Sequence, residues 1–260
     1  LAQGESPYAD DAALRAYLLA GELGNGEARQ EAYARLEGGL GLLVGKRPSP
    51  PPQALEAPPA PLTPLVEALV RAGKAAWARG EVRYALWRRP KDWPALVPLL
   101  YRLGAYREGI RAAWPTALAY PRAYREWVEG YAGKEGLDPD LLFALLHVES
   151  RFDPKAVSPT GALGLAQFLR STWAARMLGE PPADPFDPES AIRYAARYLR
   201  WLMERCAAFS GVERLACAVT AYNGGIGYTL RGIAREGGLY AFLRFQERDE
   251  PREYLAKVLS

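Results

Sequence analysis

Residues 137–152 read LDPDLLFALLHVESRF, and this stretch predicts a helix with a carboxylate beside its apolar face. The apolar residues at −7, −4, −3 and +3 from Glu149 are Leu142, Leu145, Leu146 and Phe152. These spacings place all of them on one side of a helix. A carboxyl group there loses water, which favours its protonated form and suits a general acid. The competing interpretation is a structural ion pair with one of the many arginines.

The composition indicates a globular protein with a mild positive charge. Its 260 residues are 49% hydrophobic and 24% charged, enough for a packed core. The net charge is only +3, and basic residues alternate with acidic ones. No helix is basic on one side, so we expect no nucleic-acid partner. The charge is compatible with a weakly anionic polymer.

The chain offers few residues for metal chemistry. Cys206, Cys217 and His147 are the only cysteines and histidine, too few for a Cys/His zinc site, so no metal or cofactor is predicted. The two cysteines are either a disulfide or two buried thiols. No run of eighteen apolar residues occurs, so we predict no membrane span. The chain begins at Leu1 rather than Met, which leaves open a removed signal or anchor segment.

Helical periodicity without alternating strand patterns predicts an all-α protein. Two helices are expected within 11–47, followed by a proline-rich connector at 47–64. Short paired helices, typical of stacked helical hairpins, are then predicted at 65–79, 81–89, 93–103 and 105–113.

The remaining chain predicts longer helices separated by glycine- and proline-rich turns. One ends at Gly136, and the next is capped by Asp138 with Pro139 in its first turn. Further helices are expected at 165–178, 187–206 and 210–222, then after NGGIG and at 250–259. Ser210 and Glu213 are spaced as a capping box.

Three motifs now resemble those of the soluble lytic transglycosylases. They are ESRFDPKAVSPTGALGLAQFLRSTW at 149–173, AYNGG at 221–225 and EPREYLAKVL at 250–259, and their order and spacing agree with that family. The resemblance implies a lysozyme-like catalytic domain at 116–260. It implies an α-helical accessory domain of hairpin or superhelical type at 1–115. We expect deletion of 1–115 to leave a folded catalytic domain with lower activity on intact sacculi.

The resemblance also implies an activity, namely cleavage of the β-1,4 bond between N-acetylmuramic acid and N-acetylglucosamine in peptidoglycan. Glu149 would be the single acid/base, and the product would carry a 1,6-anhydromuramyl end. Most glycosidases use two carboxylates, but substrate-assisted chemistry needs only one. The substrate-binding residues implied by matching positions are Ser158, Gln167, Tyr222, Asn223, Glu250 and Tyr254.

Some positions depart from the family pattern, and other functions stay open. The departures are His147, Ala166, Leu169, Arg170 and Pro251, which alter the predicted substrate subsites. A lysozyme-like muramidase would need a second carboxylate, for which the candidates are Asp153, Asp184 and Asp187. An inactive peptidoglycan-binding helical module is the remaining alternative.

The expected partners are peptidoglycan glycan strands, with cell-wall proteins as candidates for the N-terminal helices. The expected location is the periplasm or cell envelope.

Overall fold

The computed structural model describes residues 7–36, 39–46, 61–174, 184–246 and 250–259. Its α-helices are α1 Pro7–Glu22, α2 Gly26–Arg35, α3 Thr63–Arg71, α4 Ala75–Arg88, α5 Trp93–Arg102, α6 Tyr106–Ala113, α7 Arg125–Glu135, α8 Pro139–Ser150, α9 Arg170–Trp173, α10 Pro188–Arg205, α11 Gly211–Gly224, α12 Ile226–Glu236, α13 Leu239–Phe245 and α14 Glu250–Leu259. Short 3-10 helices cover Gly39–Val44, Pro90–Asp92 and Ala117–Ala119.

The prediction of an all-α protein is confirmed over these segments. The described residues contain no strand, only isolated bridges from Leu163 to Val157 and to Phe168. No helix among them is long and apolar enough to cross a membrane.

The predicted cap at Asp138 is confirmed, and the helix predicted from Asp187 begins with a similar bond. Asp138 Oδ1 accepts a hydrogen bond from the Asp140 amide at 2.9 Å, and Asp187 Oδ2 accepts one from the Ser190 amide at 2.8 Å. These bonds satisfy amides that have no partner inside α8 and α10. Gly136, with φ of 63°, ends α7 as the sequence predicts.

The boundary predicted between the helices at 65–79 and 81–89 is wrong. The break lies at Gly73, whose φ of 72° is left-handed, and Gly80 lies inside α4. Helix α3 also begins at Thr63, two residues inside the predicted connector. Residues 47–60 of that connector lie outside the described residues.

Three further predictions about helix ends are wrong. The second helix, predicted over 25–43, stops at Arg35 and is followed by a 3-10 helix at Gly39–Val44. The helix predicted at 165–178 is reduced to α9, because residues before it form the β-bridges, and residues 175–183 lie outside the described residues. Ser210 stands at the N-cap of α11 without a side-chain cap bond, so the predicted capping box with Glu213 does not form.

The chain divides into two compact units. Unit 1 contains Leu1–Pro50, Glu129–Val148 and Arg193–Ser260; unit 2 contains Pro51–Val128 and Glu149–Ile192. Neither unit follows the predicted division at residue 115, so the functional domain assignment stays a prediction.

Unit 1 is built around α11, whose residues 216–222 are all buried. Helix α14 packs against α11, α1 and the 3-10 helix at Gly39–Val44. Tyr240 Oη donates to the Leu43 carbonyl at 2.8 Å, which ties α13 to that 3-10 helix. The Cys206–Cys217 disulfide joins the end of α10 to α11, so the disulfide alternative is the one observed.

Unit 2 contains stacked helical hairpins, as predicted. Helices α3, α4, α5 and α6 each pack against the next. Their shared core consists of Val66, Ala78, Val82, Ala85, Leu96, Leu99, Leu100 and Ala105. The segment from residue 151 to residue 168 belongs to the same unit and carries most of the first motif.

Candidate functional site

Glu149 is the penultimate residue of α8 and is half-buried. The leucines on its helix face, Leu142, Leu145 and Leu146, are fully buried. Glu149 therefore lies at the edge of the apolar face, as the spacing predicts. His147, also half-buried, is two residues away and points to a different side of the helix.

The chain turns sharply after Glu149. Arg151 and Phe152 have φ of 52° and 58°, although neither is glycine. A non-glycine residue at positive φ destabilises the fold by roughly 1 kcal/mol or more, and such residues are enriched at functional sites. Phe152 consequently reaches the core, where it is 1% exposed, without continuing the helix.

Aromatic rings hold this turn in unit 2. Phe152 meets Tyr106 edge-on at 6.1 Å between ring centroids, and Tyr106 meets Tyr124 at 5.3 Å. Tyr124 stacks on Trp127 at 5.8 Å. Burial raises the pKa of Tyr124 to about 12, so this ring is neutral at physiological pH.

Ser158 bonds within its own loop. Its Oγ accepts from the Ala162 amide at 2.9 Å and lies 2.9 Å from the Thr160 hydroxyl oxygen. The Ser158 amide donates to the Ala162 carbonyl at 3.0 Å. The side chain therefore closes the turn that it begins.

Gln167 fastens the same loop from the other side. Its Nε2 donates to the Gly164 carbonyl at 2.8 Å and to the Ala156 carbonyl at 3.3 Å. Gln167 has φ of 49°, and its side chain is half-buried. Because both amide hydrogens bind the backbone, only the side-chain oxygen is left for a ligand.

The two motif glycines differ in their surroundings. Gly161 and Gly164 have φ of 84° and 72°, so both favour glycine. A Cβ at Gly161 would meet no atom within 4 Å, whereas one at Gly164 would collide with the Pro185 carbonyl oxygen. Gly164 is thus required for close approach of two backbone segments.

In unit 1 the second and third motifs meet. Tyr222 of α11 and Tyr254 of α14 lie almost parallel, with ring centroids 6.3 Å apart, and both are buried. Tyr198 of α10 packs edge-on against Tyr222 at 5.3 Å. Sequence reasoning missed Tyr198; its pairing with Trp201 at i+3 on α10 was the available signal.

Asn223 is half-buried near the end of α11, and Glu250 is exposed at the start of α14. Gly224 faces Pro251, the second residue of α14, since a Cβ on Gly224 would lie 3.0 Å from Pro251 Cγ. The glycine therefore permits tight packing of α11 on α14.

The three carboxylates considered for a muramidase all have local bonds. Asp153 Oδ1 accepts from the Lys155 amide at 3.0 Å, and its Oδ2 lies 3.3 Å from Arg107 Nη1. Asp184 accepts from the Phe186 amide at 2.8 Å, and Asp187 caps α10. These contacts give each of the three carboxylates a role in the local structure.

The predicted site residues fall into two groups. Glu149, Ser158 and Gln167 belong to unit 2, where the last two share a loop. Tyr222, Asn223, Glu250 and Tyr254 belong to unit 1, on α11 and α14. Their joint action on one substrate stays a prediction.

Comparison with protein families identifies the central part of the chain. The family model described as the transglycosylase SLT domain matches residues 126–241. Residues 126–241 therefore resemble an SLT domain. The domain contains Glu149, Ser158, Gln167, Tyr222 and Asn223, whereas Glu250 and Tyr254 lie beyond the matched segment.

Curated relatives support the SLT assignment. The chain is 39% identical over 118 residues to membrane-bound lytic murein transglycosylase F 1 of Alkalilimnicola ehrlichii, covering 44% of this chain and 23% of the relative. It is 32% identical over 148 residues to membrane-bound lytic murein transglycosylase C of Photorhabdus laumondii, covering 48% and 42%. The chain therefore spans less than half the length of these relatives.

Solved structures share the fold over nearly the whole chain, SLT domain included. The 70 kDa soluble lytic transglycosylase Slt70 of Escherichia coli superposes with a TM-score of 0.70 at 20% identity, covering 96% of this chain and 44% of Slt70. An inactive glutamate-to-glutamine variant of lytic transglycosylase Slt from Pseudomonas aeruginosa gives 0.63 at 24% identity, covering 97% and 45%. These likenesses establish the fold.

Proposed function

We propose that this chain is a peptidoglycan lytic transglycosylase that cleaves the β-1,4 bond between N-acetylmuramic acid and N-acetylglucosamine. The observation that carries the proposal is Glu149, half-buried at the end of α8 and inside the matched SLT domain. The names of the curated relatives, lytic murein transglycosylases, support the same activity.

In this proposal Glu149 is the only acid/base. Its carboxyl group gives a proton to the glycosidic oxygen while the bond from that oxygen to the anomeric carbon breaks. The 6-hydroxyl oxygen of the same muramic acid then bonds to the anomeric carbon and returns its proton to Glu149. The products are a 1,6-anhydromuramyl end and a free N-acetylglucosamine hydroxyl. No water is consumed, and the glutamic acid is regenerated.

The other predicted residues assist in different ways. The internal hydrogen bonds of Ser158 and Gln167 support a role in shaping the substrate loop. Tyr222 and Tyr254 offer a pair of fixed, parallel rings, and we assign them sugar contacts. Asn223 and Glu250 are assigned polar contacts to the glycan. The steps are proton transfers and a displacement, so the mechanism calls for no cofactor.

We infer that the protein works in the periplasm or cell envelope. The Cys206–Cys217 disulfide is typical of proteins in oxidising compartments. The substrate would be the glycan strands of peptidoglycan. Residues 1–115 are the candidate segment for contacts with further glycan or with cell-wall proteins.

Mass spectrometry of muropeptides released from purified peptidoglycan tests the proposal. Wild type should release fragments that are one water lighter than reducing muropeptides. Glu149→Gln should lower that release on the order of 100- to 10,000-fold, the usual contribution of a general acid. The matched control is Asp153→Asn, which should keep the anhydro products.

Other outcomes identify the alternatives. Reducing ends from wild type, lost in Asp153→Asn, would show a muramidase with a second carboxylate. Binding of wild type to peptidoglycan without any release would show a binding module. Equal release by wild type and Glu149→Gln would refute the site assignment.

A further inference from the structure

Unit 2 contains a cavity of about 430 Å³ at the end of α5, the start of α6 and the segment 117–122. Its volume lies within the range of about 300–1,000 Å³ that is typical of small-ligand sites. None of the seven predicted site residues lines it. We propose that this cavity is an additional subsite for an acidic sugar of the glycan strand. The identity of the ligand rests on the proposed function.

The floor of the cavity consists of rings that are already fixed. The hydroxyl of Tyr101 donates to the Leu118 carbonyl, and burial keeps the pKa of Tyr101 far above its ordinary value. Tyr106 stacks on Tyr101, with ring centroids 5.8 Å apart and planes at 23°. The backbone at Gly109 leaves room for Tyr101, because a Cβ there would collide with its ring. A ligand therefore meets a preformed aromatic surface with little ordering cost.

One wall of the cavity presents an exposed ring. Tyr120 is 53% exposed, and Trp114, 59% exposed, backs it at 6.0 Å between ring centroids. Large aromatic rings with one apolar face and a polar edge suit ligands that are apolar on one side and hydroxylated at the rim. A pyranose ring has this character, because its axial C–H groups form an apolar face and its hydroxyls point outward.

The charge of the cavity selects for an anion. Arg102 and Arg122 line it, and none of the described lining residues is Asp or Glu. Arg102 lies 3.1 Å from Glu67, but both side chains are well exposed, and such pairs are worth only about 0–1 kcal/mol. A ligand carboxylate can therefore compete for a guanidinium, which binds carboxylates in a forked geometry.

A sugar ring that carries a carboxylate satisfies both features. Muramic acid residues have this chemistry, through the lactyl carboxylate or the acids of an attached stem peptide. The rings also connect the cavity to the catalytic region of the same unit, since Tyr106 contacts Phe152, three residues after Glu149. The subsite would thus bind the glycan strand at a position separate from the glycosidic bond that is cleaved.

Binding of uncleaved glycan strands, stripped of stem peptides, tests the subsite. The strands are titrated against Glu149→Gln protein and against the same protein carrying Tyr120→Ala or Arg122→Ala. We expect each additional change to weaken binding about tenfold, equivalent to about 1.4 kcal/mol. The matched controls are Trp87→Ala and Arg88→Ala, an exposed ring and guanidinium 5.9 Å apart on α4 that should leave binding unchanged. Unchanged unfolding midpoints check that every variant is folded.

Two ligand comparisons identify the source of the anion. With chitin oligosaccharides, which lack carboxylates, Tyr120→Ala should still weaken binding while Arg122→Ala should not. If only strands with stem peptides respond to Arg122→Ala, the carboxylate belongs to the peptide. Equal binding of the stripped strands and of peptide-bearing strands by all variants would overturn the subsite.

The subsite and the lytic activity can fail separately. Anhydro products from wild type with unchanged strand binding by Tyr120→Ala would remove the subsite alone. Loss of strand binding in Tyr120→Ala and Arg122→Ala, with no lytic products from wild type, would remove the activity and keep a glycan-binding cavity.

Discussion

At the scale of single residues, the side chains of Ser158 and Gln167 form hydrogen bonds with the backbone of their own loop. Each bond to a buried or half-buried backbone group contributes roughly 1 kcal/mol to stability. Substituting either residue will therefore change the shape of the loop together with any contact to a ligand. Activity losses at these positions need a stability measurement beside them.

Gly164→Ala and Gly161→Ala form a matched pair in this loop. Both introduce a Cβ at positive φ, but only Gly164→Ala also collides with the Pro185 carbonyl oxygen. We expect Gly161→Ala to lower the free energy of unfolding by about 1 kcal/mol and Gly164→Ala by about 3 kcal/mol or more. Urea unfolding curves measure both values. Equal losses would contradict the close backbone approach.

The Arg83–Glu108 ion pair in unit 2 predicts a pH effect. Arg83 Nε donates to Glu108 Oε2 at 2.6 Å, and this bond lowers the pKa of Glu108 below its ordinary value of 4.5. The pair therefore stabilises the fold above pH 4.5, and its contribution disappears as pH falls through the lowered pKa.

The comparison of wild type with Glu108→Gln isolates this effect. Both side chains are more than a third exposed, so we expect at most about 1 kcal/mol at pH 7. The difference in free energy of unfolding should shrink below pH 4.5 and fall at high salt. A difference that grows on acidification would show the opposite sign of linkage.

At the scale of helices, glycines again distinguish close packing from free surface. Gly232 of α12 faces Phe242 of α13, and a Cβ at this position would collide with the ring. Gly80 lies inside α4, where a Cβ would meet no atom within 4 Å.

Alanine substitution at these two glycines should therefore have opposite effects. Gly232→Ala should cost about 1–3 kcal/mol through overpacking. Gly80→Ala should stabilise by up to about 1 kcal/mol, because alanine favours a helix interior. Thermal unfolding of the two variants checks this, and stabilisation by Gly232→Ala would mean that α12 and α13 are further apart.

Helices marked by caps were predictable, and those ended by tertiary contacts were not. Asp138 and Asp187 carry local signals, so α8 and α10 are located correctly. Gly73 and Gly80 both interrupt a helical pattern in the sequence, but only Gly73 adopts the left-handed conformation, and it lies between α3 and α4. Residues 165–169 have helical periodicity, but Phe168 forms an isolated bridge with Leu163, and α9 begins only at Arg170.

The candidate site, too, was predictable only where the sequence signal is local. The spacing of leucines places Glu149 at the edge of an apolar face, because helix periodicity is local information. The stacking of Tyr222 on Tyr254 and the support from Tyr198 join helices distant in sequence, which spacing alone cannot reveal.

At the scale of the whole molecule, the N-terminal helices are integral to unit 1. Helix α1 packs against α14 and α13, and Leu14, Leu36 and Leu40 are almost fully buried. Arg244 of α13 pairs with Glu22 at 2.5 Å. This packing argues against a self-sufficient segment 116–260.

Deletion of residues 1–115 should therefore destabilise the remaining chain. Exposing the apolar surface beneath three leucines costs on the order of several kcal/mol. The unfolding midpoints of the full chain and of residues 116–260 measure the loss, and Leu40→Ala serves as a single-residue comparison. An unchanged midpoint for 116–260 would restore the expectation of an independent catalytic domain.

The disulfide between Cys206 and Cys217 has a consequence for when the protein matures. The bond closes a short loop and restricts the unfolded chain, which typically stabilises a fold by about 2–4 kcal/mol. A chain in a reducing environment lacks that restraint, so its fold is less stable there than after the bond has formed. On the proposed function, the protein would therefore reach its full stability only in an oxidising compartment such as the one that contains peptidoglycan.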